Sequence, residues 1–140
     1  IVGFDNCRKL IDICINKGYN VLYSDILNTP FDKNTFNYII CIAVIHHLDS
    51  EYKHLCAINE LMNILKKNGQ LLFTLWAFES DEYSKKKNFK KGHNYVKFDK
   101  NERYYYIYDK EMLINMLKKI NYEYKYWWER GNWNIILTKN

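Results

Sequence analysis

The feature that most constrains the fold is a series of apolar runs of strand length, separated by segments of helical spacing. Apolar runs without polar alternation are typical of parallel strands that are buried on both faces. The runs are IVGF, NVLYSD, NYIICIAVI and QLLFTLWAF. The third is apolar on both sides, so we predict it to be central. Strands that alternate with helices indicate an α/β fold with a mostly parallel sheet covered on both sides.

Three segments have the spacing of amphipathic helices, namely residues 7–17, 51–67 and 109–120. Gly18 and the pair Asn68-Gly69 are predicted stop signals. The residues predicted to face inward are Leu10, Ile11, Cys14 and Ile15, then Leu55, Ile58, Leu61, Met62 and Leu65, and finally Leu113, Met116, Leu117 and Ile120. YEYKYWW and WNIILTK flank ERGN, which predicts a C-terminal antiparallel hairpin.

Composition limits the class of protein. A chain of 140 residues that is 48% hydrophobic is predicted to form a single domain over residues 1–140. Four cysteines without a C-x-x-C pair indicate reduced thiols in an intracellular protein. A net charge of +5 fits a polyanionic partner. No segment approaches the roughly 20 apolar residues of a membrane span.

Two aspartates follow the first two runs, at the sheet edge where ligands bind in open parallel sheets. Asp5 could accept hydrogen bonds from both hydroxyls of a ribose. Asp25 could accept one from an exocyclic amine, with Ile26 packing on a purine face. The alternative is that both aspartates are helix caps or loop formers, and the sequence leaves the choice open.

Two histidines, His46 and His47, follow the third run directly. They could be metal ligands, a general base, pocket residues beside a ligand, or a cap of the next helix. Zinc is not expected, because no third ligand lies at suitable spacing and His54 and His93 belong to other elements.

Residues 84–103 form a lysine-rich insertion without clear periodicity. Its lysines alternate with aromatic residues; the set is Lys85, Lys86, Lys87, Lys90 and Lys91 with Phe89, Tyr95 and Phe98. Cations that contact phosphates and rings that stack on unpaired bases are what an RNA loop requires. A solvated surface loop is the alternative.

Four blocks, IAVIHH, WAFE, RYYY and ERGNW, give the chain a specific resemblance. The first half resembles S-adenosylmethionine-dependent methyltransferases of the seven-strand class. The combination of blocks resembles, more narrowly, the eukaryotic tRNA wobble-uridine carboxymethyl methyltransferases, including the methyltransferase domain fused to an AlkB-type oxygenase.

The resemblance implies a Rossmann-like class I methyltransferase sheet of strand order 3-2-1-4-5-7-6. IVGFD would be the second strand, and the first strand with its glycine-rich loop is absent from this sequence. The chain thus resembles an N-terminally truncated member. Unless residues upstream of Ile1 supply that strand, we expect weak stability and poor cofactor binding.

The implied reaction is methyl esterification of 5-carboxymethyluridine at the tRNA wobble position, with S-adenosyl-L-methionine as cofactor. The implied sites are His46, His47 and Arg103 at the reacting end; Asp5, Asn6, Asp25, Ile26, Ile42, Ala43 and Val44 at the cofactor; and Trp76, Lys86, Lys87, Lys90, Lys91, Tyr105 and Arg130 at the RNA. The alternatives are a small-molecule methyltransferase of the same fold and a non-catalytic RNA-binding remnant.

The partners implied by the resemblance are the anticodon loop of tRNA and a small zinc-containing activator subunit. The expected location is the cytoplasm, with the nucleus as a second one.

Overall fold

The structure, a computed structural model, describes residues 1–79 and 88–140. In chain order the elements are β1 (Gly3–Asp5), α1 (Arg8–Asn16), β2 (Val21–Tyr23), β3 (Phe36–Cys41), a 3-10 turn (Ile45–His47), α2 (Glu51–Ile64), β4 (Leu65–Trp76), β5 (Gly92–Phe98), β6 (Asn101–Ile107), α3 (Lys110–Leu117), β7 (Glu123–Glu129) and β8 (Asn132–Thr138). Within the described ranges, no helix is long and apolar enough to span a membrane.

The strands form three hydrogen-bonded groups. β1 and β2 form a parallel pair, a second group has the order β3-β4-β8-β7, and β5 and β6 form a hairpin. β3 and β4 are parallel, whereas β8 is antiparallel to both of its neighbours. The parallel pairs and the C-terminal hairpin are confirmed, but the four-stranded group is mixed, with one parallel and two antiparallel pairs, and not mostly parallel as predicted. The order also agrees with the one implied by the resemblance, and β1 and β3 each have one edge without a strand partner among the described residues.

The core lies between the four-stranded sheet and the helices α2 and α3. The predicted inward residues are buried except Leu55, which is half-buried. Leu65 and Ile120, however, lie beyond the ends of α2 and α3, and Leu65 belongs to β4. The inward residues pack with apolar side chains of β4 and β8, namely Leu71, Phe73, Leu75, Ile135 and Leu137. Burial of such side chains contributes roughly 1.5–3 kcal/mol each before chain entropy is subtracted.

The predicted inward face of α1 is wrong in part. Ile11 is buried and Cys14 half-buried, but Leu10 and Ile15 are 50% and 53% exposed. α1 packs mainly on β1 and β2. These strands have three residues each, so they cannot cover a full helix face.

The third apolar run is also less buried than predicted. β3 ends at Cys41 and hydrogen-bonds only to β4 within the described chain, which leaves Tyr38 and Ile40 75% and 72% exposed. The strand ends early because Ala43 has a left-handed backbone, with φ 57°. An L-residue pays about 1–2 kcal/mol for this conformation, which turns the chain out of the strand direction.

α2 begins at Glu51, as predicted, and ends earlier than predicted. The Oγ of Ser50 accepts a hydrogen bond from the Lys53 N–H at 3.3 Å. The helix ends at Ile64 because Leu65 already pairs with Phe36 in the sheet.

The expected stop at Asn68-Gly69 is therefore wrong, because both residues lie within β4. A Cβ at Gly69 would lie 2.8 Å from the Lys66 carbonyl oxygen, so glycine here permits close backbone packing. The end of α2 is instead capped from far along the chain: Lys139 Nζ donates to the carbonyl oxygens of Leu65 at 2.6 Å and Asn63 at 3.1 Å.

The insertion is more regular than predicted. Residues 80–87, which include Lys85, Lys86 and Lys87, lie outside the described residues. Most of the rest belongs to the hairpin β5–β6, which turns at Asp99 with φ 55°. The β-branched and aromatic residues of HNYVKF and ERYYYI favour strands, and the flanking lysines obscured this signal.

Candidate active site

The turn after β3 brings the two histidines beside the end of β4. The Ala43 N–H donates to Thr74 Oγ1 at 3.0 Å, which ties the left-handed turn to β4. Ile42, Ala43 and Val44 are exposed along this turn. Strained backbone of this kind is concentrated at functional sites, so the turn is a candidate ligand wall.

His46 is fully buried and held in one tautomer. Its Nδ1 accepts a hydrogen bond from the backbone N–H of Trp76 at 3.3 Å, so the ring proton is on Nε2. That Nε2 is buried and has no hydrogen-bond partner. Burial, followed by the charges of His47 and His54, lowers the pKa of His46 to about 3. His46 is therefore neutral at physiological pH.

His47 is exposed and held in the opposite tautomer. Its Nδ1 lies 2.9 Å from the carbonyl oxygen of Tyr104, which can only accept, so Nδ1 donates. The ring centroid of His47 lies 4.5 Å from that of His46 and 4.5 Å from that of Tyr105. A histidine cap on the following helix is not observed, because Ser50 supplies that cap.

Aromatic rings form a wall beside the histidines. Tyr105 stacks on Trp76, with ring centroids 4.2 Å apart and an interplanar angle of 11°. Phe89 extends the wall, 5.4 Å from Trp76. Tyr105 is buried and Trp76 is half-buried. The structure thus brings together four residues that the sequence singled out, which are His46, His47, Trp76 and Tyr105.

Arg103 lies two residues before Tyr105 on β6 and is exposed. Side chains two residues apart on a strand share a face, so Arg103 lies on the same face of β6 as Tyr105. That face contacts Trp76 and His47 through Tyr105. Arg103 therefore lies on the face of β6 that borders the wall.

The other predicted cations differ in their surroundings. Lys90 is exposed, whereas Lys91 Nζ pairs with Asp109 Oδ2 at 2.5 Å, which raises the pKa of Lys91. Lys91 is therefore already engaged within the chain. Arg130 has φ 48° in the turn between β7 and β8. The neighbouring Gly131 carbonyl accepts from the Ala77 N–H at 2.9 Å, which places this turn at the end of β4.

Asp5 is the last residue of β1, as predicted, whereas Asp25 lies two residues beyond the end of β2. Asp5 Oδ1 accepts from the Cys7 N–H at 2.7 Å, and Asp25 Oδ1 accepts from the Leu27 N–H at 2.8 Å. One oxygen of each carboxylate thus stabilises the local loop, in agreement with the alternative that both aspartates are loop formers. The second oxygen of each makes no hydrogen bond to a described residue.

The remaining predicted cofactor residues differ in exposure. Ile26 is only 7% exposed and belongs to the core, which leaves little surface for a purine face. Asn6 is exposed beside Asp5.

Sequence reasoning missed two groups that position the site. Thr74 is a buried polar residue in the apolar run LLFTLW, and that contrast was the available signal. The Tyr104 carbonyl, which orients His47, gave no signal because any residue supplies a carbonyl.

Acid sensitivity of folding is expected from the buried histidines. His54 is fully buried, donates from Nε2 to the Leu48 carbonyl at 2.9 Å and has Nδ1 2.6 Å from Tyr108 Oη; burial lowers its pKa. The unfolded chain protonates both His46 and His54 near pH 6.5, before the folded chain does. The contribution of the two neutral histidines to the free energy of unfolding should therefore be fully present above about pH 6.5. It should be lost as the pH falls, and for His46 the loss continues down to about pH 3.

Urea unfolding at half-unit steps between pH 7 and pH 5 measures this dependence, and His54→Gln should reduce its slope. A free energy of unfolding that does not change with pH in this range would contradict the prediction.

Comparison with solved structures defines the fold. A protein from Thermotoga maritima described as a SAM-dependent methyltransferase, possible histamine N-methyltransferase, aligns with a TM-score of 0.71 and 22% identity, over 99% of this chain and 72% of that one. The fold is that of the S-adenosylmethionine-dependent methyltransferases. The family model described as a methyltransferase domain matches residues 1–73.

Two curated relatives narrow the family. The tRNA (carboxymethyluridine(34)-5-O)-methyltransferase of Schizosaccharomyces pombe is 30% identical, over 100% of this chain and 72% of its own length. The protein named tRNA (carboxymethyluridine(34)-5-O)-methyltransferase alkbh8 in Xenopus tropicalis is 38% identical over 63% of this chain, and the match spans 14% of that protein. The chain belongs to the tRNA (carboxymethyluridine(34)-5-O)-methyltransferase family.

Proposed function

We propose that the protein transfers a methyl group from S-adenosyl-L-methionine to the carboxylate of 5-carboxymethyluridine at the wobble position of tRNA. The observation that carries the proposal is the wall formed by His46, His47, Trp76 and Tyr105 at the ends of β3 and β4, in a chain of this family. The names of the relatives support the reaction, and the wall supports an unpaired base as the group that binds there.

The chemistry suits a site without a strong base. The substrate carboxylate is already ionised at pH 7, so no proton has to be removed before it attacks. His46 is held neutral by burial, which fits a wall residue. The protein has to place the reacting groups in line and exclude water. The half-buried ring of Trp76, which stacks on the buried Tyr105, supplies an apolar surface for this purpose.

The described residues fit the cofactor at one end of the site. When bound, S-adenosyl-L-methionine supplies a methyl group on a sulfonium sulfur. Asp5 and Asp25 each keep one carboxylate oxygen for its hydroxyl and amine donors. The exposed backbone turn at Ile42, Ala43 and Val44 would form the adjoining wall. Asn6 is the additional polar candidate, whereas Ile26 is too buried to provide more than an edge contact.

Methyl transfer tests the proposed function. The natural full-length protein is incubated with S-adenosyl-L-methionine and tRNA that carries 5-carboxymethyluridine, and the nucleosides are analysed by mass spectrometry. We expect 5-carboxymethyluridine to gain one methyl group and the other nucleosides to remain unchanged. Transfer only to free small acids would favour a small-molecule methyltransferase, and tRNA binding without transfer would favour a non-catalytic RNA-binding protein.

The lysine-rich insertion is proposed to contact the anticodon loop. Each lysine–phosphate contact adds roughly 0.7–0.9 to the slope of log affinity against log salt. Replacing Lys85, Lys86 and Lys87 with alanine should therefore lower the magnitude of that slope by about 2. Lys91 is left unchanged because it pairs with Asp109.

The matched control replaces three exposed lysines on and after α1, namely Lys9, Lys17 and Lys33, and should leave the slope unchanged. Equal slopes for the insertion variant and the wild type would refute RNA contact by the insertion.

We also propose, from the family resemblance, a small zinc-containing activator subunit as a protein partner. The side chains of Leu10, Ile15 and Ile40 are apolar and exposed, which supports a partner that covers them.

A further inference from the structure

The exposed imidazole of His47 presents a fixed hydrogen-bond acceptor. Its Nδ1 donates to the Tyr104 carbonyl at 2.9 Å. A neutral imidazole carries one ring proton, so Nε2 has the lone pair. Nε2 makes no hydrogen bond to any residue in the described ranges, and the side chain is exposed.

The surroundings of His47 hold that acceptor beside the aromatic wall. Its ring packs against both His46 and Tyr105, with each centroid 4.5 Å away. Rotation of the ring would break the hydrogen bond to Tyr104, so the direction of the lone pair is fixed. His46 has the opposite tautomer, but its Nε2 is buried and out of reach of a ligand.

The chemistry of pyrimidines suggests what a fixed acceptor would recognise. Uracil carries an N3–H donor between two carbonyl groups, whereas cytosine has a lone pair at N3. A base that binds against the half-buried ring of Trp76 can thus be read at N3 by one acceptor. A site built to accept a hydrogen bond rejects a ligand that lacks the donor, because the bound ligand covers the acceptor and leaves it unpaired.

We propose that His47 Nε2 accepts a hydrogen bond from the N3–H of the substrate uracil and so determines specificity for uridine. The inference rests on the proposed function and adds a specificity-determining residue to it. His47 then acts as a hydrogen-bond acceptor, and it neither removes a proton nor pairs with the carboxylate.

A combination of chemical and side-chain changes tests the inference. Two anticodon stem–loop RNAs are compared, one with 5-carboxymethyluridine and one with its N3-methyl derivative, as substrates of the natural full-length protein. For the wild type, N3-methylation should lower kcat/KM by roughly 10- to 100-fold, the range expected for an unpaired polar group. For His47→Phe, the unmodified substrate should react more slowly, and N3-methylation should cost no more than about threefold further.

Matched variants complete the experiment. His93→Phe removes another exposed histidine of the hairpin region and should keep the wild-type response to N3-methylation. His47→Gln can retain an acceptor in its amide oxygen and should keep part of the discrimination. It also keeps the test decisive if the phenylalanine variant does not fold.

Three outcomes would overturn the inference. Equal losses on N3-methylation in the wild type, His47→Phe and His47→Gln would show that His47 does not read N3–H. Full activity of His47→Lys would do the same, because an ammonium group cannot accept and would instead pair with the carboxylate. If the wild type fails to methylate the unmodified substrate as well, the proposed function falls together with the inference.

Discussion

Replacing Arg103 with alanine is expected to lower kcat/KM for 5-carboxymethyluridine in tRNA by roughly 100-fold, the loss of one strong charge-assisted contact. Arg103 lies on the face of β6 that carries Tyr105, and Tyr105 stacks on Trp76 beside the histidines. A guanidinium group can hold a carboxylate through two parallel hydrogen bonds and so aim its oxygen.

Two further variants separate a specific contact from a general loss of charge. Arg103→Lys keeps the charge without the fork geometry and should recover only part of the activity. Lys97→Ala removes a cation opposite Glu102 in the same hairpin, one residue out of phase with the face of Arg103, and should be nearly silent. An unchanged esterification rate and substrate affinity in Arg103→Ala would remove Arg103 from the site.

Replacing Asp5 with asparagine is expected to weaken S-adenosyl-L-methionine binding by roughly 100-fold, since charge-assisted hydrogen bonds to two hydroxyls are weakened or lost. Asparagine retains an Oδ1 that can accept from the Cys7 N–H, so the local loop should persist. The variant therefore isolates the proposed ligand role from the loop role that the structure shows. Titration calorimetry measures the affinity directly.

The control for Asp5 is Asp12→Asn, which changes an exposed aspartate of α1 and should leave cofactor affinity unaffected. If Asp5→Asn binds the cofactor as tightly as the wild type, the carboxylate of Asp5 serves the loop alone.

Local sequence patterns correctly predicted the elements that pair with a neighbour in the chain and the helices whose apolar face is covered by the sheet. The inward faces of α2 and α3 and the C-terminal hairpin are examples. The errors arise where distant residues decide. The end of α2 depends on Lys139, more than 70 residues further along the chain, and the exposure of Leu10 and Ile40 depends on which elements cover them.

The sequence could predict which strand ends carry the candidate site, but it could not predict how the side chains are arranged there. Placing His46, His47 and Trp76 at the edge of the sheet required only the apolar runs. The tautomers of the histidines could not be predicted, because they depend on the backbone N–H of Trp76 and the carbonyl of Tyr104. The pairing of Lys91 with Asp109 was equally hidden, since opposite charges are common in any sequence of this composition.

The chemical nature of the transferred methyl group tests the central claim most directly. The natural full-length protein is supplied with S-adenosyl-L-methionine labelled in its methyl group and with tRNA containing 5-carboxymethyluridine, and the modified tRNA is then treated with mild alkali. A methyl ester releases the label as methanol and regenerates the carboxylate, which is the predicted result. Label that stays on the nucleoside through this treatment would place the methyl group on a base or ribose atom and would contradict the account.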